Sequence, residues 1–200
     1  ISAEESSASL PPPVWANTWQ ENFSESLTFN GETGTTKGVF YYDWTNVRHN
    51  IERENGRLDV ICGTVLPNVD TKCLQLVNAG IRWMVFPEKK YCCNCCSVAQ
   101  GCGPLKPDWL NGASYIGQIK ENGIVYNKWN KPDGGPIYYV SPASDGQKIK
   151  RINRIGSDDQ KFDISTFTTS VDESAFDIPE YCDESDLCGG DVCGFFRSLN

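Results

Sequence analysis

Cys92, Cys93, Cys95 and Cys96 flank Asn94 in a run holding two interleaved C-x-x-C spacings, with Cys102 six residues further on. Thiolates two residues apart can grip a tetrahedral zinc ion, but a four-cysteine site needs a second such pair. The remaining cysteines, Cys62, Cys73, Cys182, Cys188 and Cys193, stand at successive gaps that provide none. A thioredoxin-like redox pair would open a helix after a strand. Here Lys89-Lys90-Tyr91 leads in and Gly101-Cys102-Gly103-Pro104 leads out. Ten cysteines in 200 residues are an even and dense set, the usage of proteins made in an oxidising compartment. Structural disulfides are therefore favoured over metal or redox chemistry, with all ten bridged in a pairing left open. No metal and no cofactor is expected.

His49 is the one histidine, so any Cys-His or Ser-His-Asp site has a single possible centre. It lies inside a candidate strand, Asn46-Val47-Arg48-His49-Asn50, with no nucleophile motif beside it, and decoration of a sheet face is the preferred reading. The carboxylate pairs Asp158-Asp159, Glu4-Glu5 and Asp183-Glu184 read as solvated loop charge, since a glycosidase needs a defined carboxylate separation. No motif identifies an enzyme, and none is expected. Asn22-Phe23-Ser24 is the one N-x-[ST] sequon, which makes Asn22 the candidate N-glycosylation site in a secreted chain.

Two hundred residues with 18 basic and 26 acidic side chains, a net charge of −8, suit one domain with an acidic surface. That balance argues against nucleic acid and anionic membrane as partners. The longest strongly apolar run, Ile81–Phe86, is broken by Arg82 and falls far short of the roughly 20 residues of a membrane helix. The chain opens on Ile1 without a charged-then-apolar leader, as expected of a mature secreted, extracellular protein after signal removal.

The elements around these residues read as short alternating segments. They are Leu27 with Phe29, then 39–42, 47–51 and 58–65, with Asn30-Gly31 and Asn55-Gly56 between them. Asn-Gly between alternating runs predicts hairpins. After the cysteines come 115–119, a turn at Asn122-Gly123, 124–129, a turn at Asp133-Gly134-Gly135, and 137–140. Segments 148–155 and 162–167 follow, and Pro107-Asp108-Trp109-Leu110 could start a short helix. The predicted fold is mainly β: one curved antiparallel sheet or half-open barrel, disulfide-stabilised, with little helix. Its expected parts are an extended arm (residues 1–13), a β domain (14–182) with a cysteine-rich insertion (92–102), and a crosslinked tail (183–200). Six tryptophans, eight tyrosines and nine phenylalanines would serve equally to fill a core or to line an apolar cavity.

The segment Tyr41-Tyr42-Asp43-Trp44, followed by Asn46 and Arg48, carries one family resemblance. A second block joins it, running from Pro107 through Trp109, Gly112, Tyr115 and Gly117 to Gln118, with Trp129, Tyr138-Tyr139 and Pro179-Glu180-Tyr181-Cys182 beyond. On these motifs the chain resembles a family of secreted eukaryotic proteins, some of which are described as transferring glycosyl groups. More distantly it resembles ependymin-related proteins, whose LolA-like fold is a curved antiparallel half-barrel around an apolar cavity.

Two functions are expected from these readings. The first is a structural, non-enzymatic module, glycosylated and self-assembling into a homo-oligomer or filament. Its contact would be the arm, from Ile1 to Leu10, Pro11, Pro12 and Pro13, because that composition cannot order itself alone. The second is an extracellular carrier for a lipid or other apolar ligand in the concave face of the sheet. A glycosyl-transferring enzyme stands a distant third.

Overall fold

In the computed structural model, residues 10–132, 137–154 and 158–199 are described. Residues 1–9 of the arm, the turn expected at Asp133-Gly134-Gly135 and Ile155 lie outside them.

Eleven strands form one antiparallel sheet, assembled from two meanders that meet at the chain's first and last strands. The first meander runs β1 (Thr18–Phe29), β2 (Glu32–Asp43), β3 (Arg48–Arg53), β4 (Cys73–Asn78), β5 (Ile81–Phe86) and β6 (Tyr91–Ser97). The second runs β7 (Ser114–Glu121), β8 (Ile124–Lys131), β9 (Ile137–Pro142), β10 (Arg151–Arg154) and β11 (Asp158–Phe162). Strand β11 pairs with β1, which leaves β6 and β7 as the two edges. The sheet is open, and it curves. Arg82 on β5 and Ile152 on β10 line one cavity although five strands stand between them, a separation of nearly 30 Å in a flat sheet at about 4.8 Å per strand.

Tight turns explain the long hairpins. Asn30-Gly31 and Asn122-Gly123 both hold positive φ at two successive residues, the mirror-image turn whose twist matches that of its strands. Ala79-Gly80 makes the same turn between β4 and β5 without an asparagine to announce it.

Several expectations are corrected. Asn55-Gly56 is not a hairpin: Gly56 has no positive φ, and it sits where a Cβ would meet Cys73 Cβ at 2.4 Å and Cys62 Cβ at 2.9 Å. The glycine is needed for close approach to a disulfide. Residues 58–65 are not a strand, because Asp59 Oδ1 accepts the Ile61 and Cys62 amides at 3.0 and 2.8 Å and turns the chain into α1 (Cys62–Val65). Of the segment 162–167 only Phe162 stays in the sheet, as the end of β11, since Asp163 binds the Ser165 amide and hydroxyl through Oδ1 and turns the chain away. Pro107 to Leu110 forms successive turns closed by Trp109 N donating to Lys106 O and Asn111 N to Asp108 O, not a helix. The cysteine-rich segment is itself a strand, β6, with a register irregularity opposite Arg82 and Trp83.

All ten cysteines are bridged: Cys62–Cys73, Cys92–Cys182, Cys93–Cys188, Cys95–Cys193 and Cys96–Cys102. Cys92 and Cys93 face opposite sides, while the register irregularity lets Cys95 and Cys96 share the side of Cys93. Cys92 packs on the convex face with Leu76, Trp83, Val85 and Phe176, whereas Cys93, Cys95 and Cys96 join Met84 and Phe86 on the concave face. The tail, ending in α2 (Asp191–Arg197), also covers the β6 edge: Asn94 N donates to Asp186 O at 2.7 Å, and Cys188 N to Asn94 O at 2.9 Å.

Candidate functional site

Alternation along β1 places Trp19, Glu21, Phe23, Glu25 and Leu27 on one buried face. The same face receives Phe40 from β2, His49, Ile51 and Arg53 from β3, Gln75 from β4 and Arg82 from β5. Trp15 closes the centre of this concavity. Its indole donates to Tyr139 Oη at 3.0 Å, and its ring meets those of Trp19, Tyr42 and Trp109 edge-on at 5.2 to 5.5 Å between centroids.

Beside this aromatic plug the concave face is hollow. A cavity of about 360 Å³ lies between the sheet, the connection that carries Gly101, Gly103 and Leu105, and Phe196 of α2. One part of its lining is apolar, with Phe40, Ile51, Leu105 and Ile152. The other is polar, with His49 beside the charged Arg53, Asp59, Arg82, Arg154 and Asp158. The volume falls within the roughly 300–1,000 Å³ of small-molecule sites, and the apolar wall with a few convergent polar groups is their usual chemistry.

The charged wall is internally braced. Arg53 grips Glu25 with Nε and Nη2 at 2.5 and 3.0 Å and approaches Asp59 at 3.4 Å. Burial alone would lower Arg53, but the Asp59 and Glu25 carboxylates hold its guanidinium above the ordinary value. Asp59 also accepts from Gln75 Nε2 at 2.8 Å. Arg154 pairs with Asp158 at 2.5 Å.

Three groups on this wall keep unpartnered or uncommitted nitrogens. Arg53 Nη1 and both ring nitrogens of His49 are buried with no hydrogen-bond partner. Arg82 donates from Nε to the Cys102 carbonyl at 3.2 Å, and among the described residues no carboxylate stands within ion-pair distance of it. Burial draws its guanidinium down to about 10, against the pull of Asp59. Burial and then the Arg82 charge hold His49 well below its usual range, so the imidazole is neutral at neutral pH.

The structure places the sequence-derived residues largely elsewhere. Asp43 accepts from Asn46 Nδ2 and Arg48 Nε at 2.7 Å each, which locks the β2–β3 turn. Arg48 lies over the Phe176 ring at 4.2 Å and pairs with Glu173 at 2.6 Å, fastening the chain that covers the convex face. Tyr42 Oη donates to Leu105 O at 2.7 Å, and Trp44 packs at the margin of the same core. In the second motif, the Pro107 carbonyl accepts the Trp15 amide at 2.9 Å, Gly112 and Gly117 hold positive φ, and Tyr115 packs on Trp129 at 6.0 Å. Both motifs build the fold. Asn22 is exposed on β1. Of the arm, Leu10 is exposed and Pro11 to Pro13 lead into Trp15, while Ile1 lies outside the described residues. Among the described residues no cluster of His, Cys, Asp and Glu could hold a metal ion, and no helix is long and apolar enough to cross a membrane.

Sequence reasoning singled out none of Glu25, Arg53, Asp59 or Arg82 as a site residue. The signal was present: Glu21 and Glu25 interleave with the apolar series Trp19, Phe23, Leu27 at the same strand period, and an arginine breaks the run 81–86.

The profile of the family described as Domain of unknown function (DUF8395) matches residues 18–182. No curated protein matches the chain. Among solved structures, an uncharacterized conserved protein from Thermus thermophilus is 9% identical with a TM-score of 0.52, over 82% of this chain and 86% of that one. The MucA/MucB complex of Pseudomonas aeruginosa gives 9% identity and a TM-score of 0.39, over 84% of this chain and 57% of the other. A DUF1329 family protein from Desulfovibrio piger gives 10% and 0.35, over 81% and 90%. The likeness to the Thermus protein is one of fold alone; the other two carry no argument at these scores.

Proposed function

The chain belongs to that family, the Domain of unknown function (DUF8395), and on this premise we propose that it is a secreted, non-enzymatic carrier of a small apolar or amphipathic molecule. The observation that supports this reading is the 360 Å³ cavity on the concave face. A chain free to fill its core with 23 aromatic side chains instead keeps a space between Phe40, Ile51, Leu105 and Ile152. Its size and its apolar wall beside a few polar groups are those of a small-molecule site. Among the described residues the lining holds no hydroxyl, thiol or amine beside His49, which favours binding over covalent catalysis. Five disulfides support an extracellular location.

The experiment is organic extraction of protein secreted in an oxidising host, followed by mass spectrometry and titration with an apolar fluorophore. A stoichiometric extracted ligand, or saturable one-to-one binding, is expected. Neither a ligand nor saturable binding would reject the reading.

Glycosylation at Asn22 belongs to the same proposal, supported by the exposure of that side chain on the outer face of β1. Self-assembly through the arm is the competing reading. Leu10 and Val14, 43% and 52% exposed, are its available contacts. Its ground is weaker, because the chain's own core anchors Trp15 and residues 10–14 need no neighbour to lead into it. Sedimentation of the full chain and of a chain lacking residues 1–13 separates the two: loss of an oligomer on truncation supports assembly, whereas an unchanged monomer that retains its ligand supports the carrier.

A further inference from the structure

We propose that the wall formed by β3 to β5 is a carboxylate-recognition subsite, in which Arg82 and His49 hold the head of a monoanionic amphiphile whose tail lies against Phe40, Ile51 and Ile152. The inference rests on the carrier reading and names the class of its ligand.

Register brings the two head-group residues together. His49 pairs with Val77 and Val77 with Arg82, so the two side chains share a row on the concave face, two strands apart, about 10 Å between backbones. Buried polar groups without partners are uncommon and ask for an explanation. On this wall the unpartnered atoms are nitrogens: Nδ1 and Nε2 of His49, and Nη1 of Arg53. The outer nitrogens of Arg82 are likewise uncommitted, because its Nε alone is spent on the Cys102 carbonyl. All are donors save one ring nitrogen of the neutral His49, and these donors lack an acceptor. The acceptors of Asp59 are already engaged by the Ile61 and Cys62 amides, Gln75 and Arg53. The unpartnered Asp158 Oδ1 belongs to β11, on the far side of the cavity.

Charge sets the valence of the guest. Around the cavity Arg53, Arg82 and Arg154 are matched by Glu25, Asp59 and Asp158. A monoanion beside Arg82 leaves a surplus of one negative charge, which favours a proton on His49, whereas a dianion leaves a surplus of two. A planar carboxylate also fits the guanidinium fork, where a charge-assisted pair is about twice as strong as a neutral hydrogen bond.

The test compares decanoate with decanol, equal in tail and different in head, by calorimetric titration of the intact, disulfide-bonded protein. Wild type should prefer decanoate by about tenfold or more at pH 7, and Arg82→Gln should bind both compounds with the affinity that wild type shows for decanol. Equal affinity of wild type for the two compounds overturns the subsite while leaving the carrier reading in place. Binding of neither compound, together with an empty organic extract, overturns both. Should Arg82→Gln fail to fold, the wild-type comparison still decides, and so does pH. Decanoate binding should take up a proton through His49, so its affinity should rise as pH falls from 7.5 to 6 while that of decanol stays flat. A decanoate affinity that is flat or falling over that range counts against the proposal.

Discussion

The two meanders share one sheet but are stabilised by different means. The β1–β6 half is covered on both faces, by residues 163–182 behind it and by α1, the crossing connection and the tail in front. These covers are irregular chain with little apolar surface of their own, and all five disulfides serve to pin them. The β7–β11 half has no cysteine. It is a plain hairpin array whose inner face packs Trp129, Tyr139, Ile149 and Ile152 against Trp15, and whose far strand β7 alternates half-buried and exposed without a cover. Crosslinks therefore appear where coverage is irregular, and aromatic packing suffices where the chain is regular. The cavity lies at the junction.

Reduction should break this contrast most strongly. Five bridges at about 2–4 kcal/mol each, less for the short Cys96–Cys102 loop, are together comparable to the total stability of about 5–15 kcal/mol of an ordinary domain. Hydrogen exchange at rising reductant should show residues 183–199 and the β3–β4 connection opening before β8 and β9. Simultaneous opening of all eleven strands would mean that the halves are one cooperative unit.

Arg53→Ala comes next, with an expected loss of about 3–5 kcal/mol in urea unfolding, because it strands the buried Glu25 carboxylate. Adding Glu25→Gln should restore part of that loss. If the single variant costs less than about 1 kcal/mol, the charged wall is not under the tension described.

A smaller effect sets two buried groups of the β1–β6 half against each other by pH. Glu21, fully buried with its Oε1 unpartnered, is pushed up to about 8 by burial. Its folded value exceeds its unfolded value of 4.5, so its contribution is present below 4.5 and lost as pH rises toward 8, at no more than about 1.4 kcal/mol per unit. His49, held low by burial and then by Arg82, acts in the opposite sense, and stability is lost as pH falls below its unfolded value of 6.5. Between pH 6.5 and 8 Glu21 should carry the slope together with Glu25, which burial also raises, and Glu21→Gln should reduce it. A slope unchanged in that variant would assign the dependence to another group.

Gly117→Ala should be the mildest change. The residue holds φ +115 with nothing within 4 Å of a Cβ, so the penalty is backbone strain of about 1 kcal/mol, read as a small fall in the urea midpoint.

Strands β1 to β3 and β7 to β9 were legible because their faces differ in polarity, and because the β1–β2 and β7–β8 turns carry Asn-Gly. Strands β4 to β6 were not. The run Ile81–Phe86 is buried on both faces and loses its alternation, as happens in doubly covered sheets, and the cysteines of β6 look like an insertion until their bridges are known. Asn55-Gly56 misled because the glycine answers to a disulfide 17 residues ahead at Cys73 rather than to a local turn. Aromatic composition pointed to either a filled or a hollow core, and a void leaves no residue behind to be read. His49 was visible as a lone histidine on a strand; its unpartnered state depends on β4 and β5, which the sequence did not place.

The bridges of β6 also dictate an order of events in biogenesis. Cys92, Cys93 and Cys95 emerge 90 or more residues before Cys182, Cys188 and Cys193, with Cys62, Cys73, Cys96 and Cys102 already exposed beside them. During N-to-C synthesis at roughly 5–20 residues per second, these three thiols of one strand wait several seconds with only wrong partners in reach. The tail must then pass round the sheet edge, from the convex face at Cys182 to the concave face at Cys188 and Cys193. Native bridging therefore waits for the tail and is reached by exchange that proceeds through mixed disulfides, so disulfide reshuffling rather than strand pairing sets the pace at which the reduced chain regains this fold.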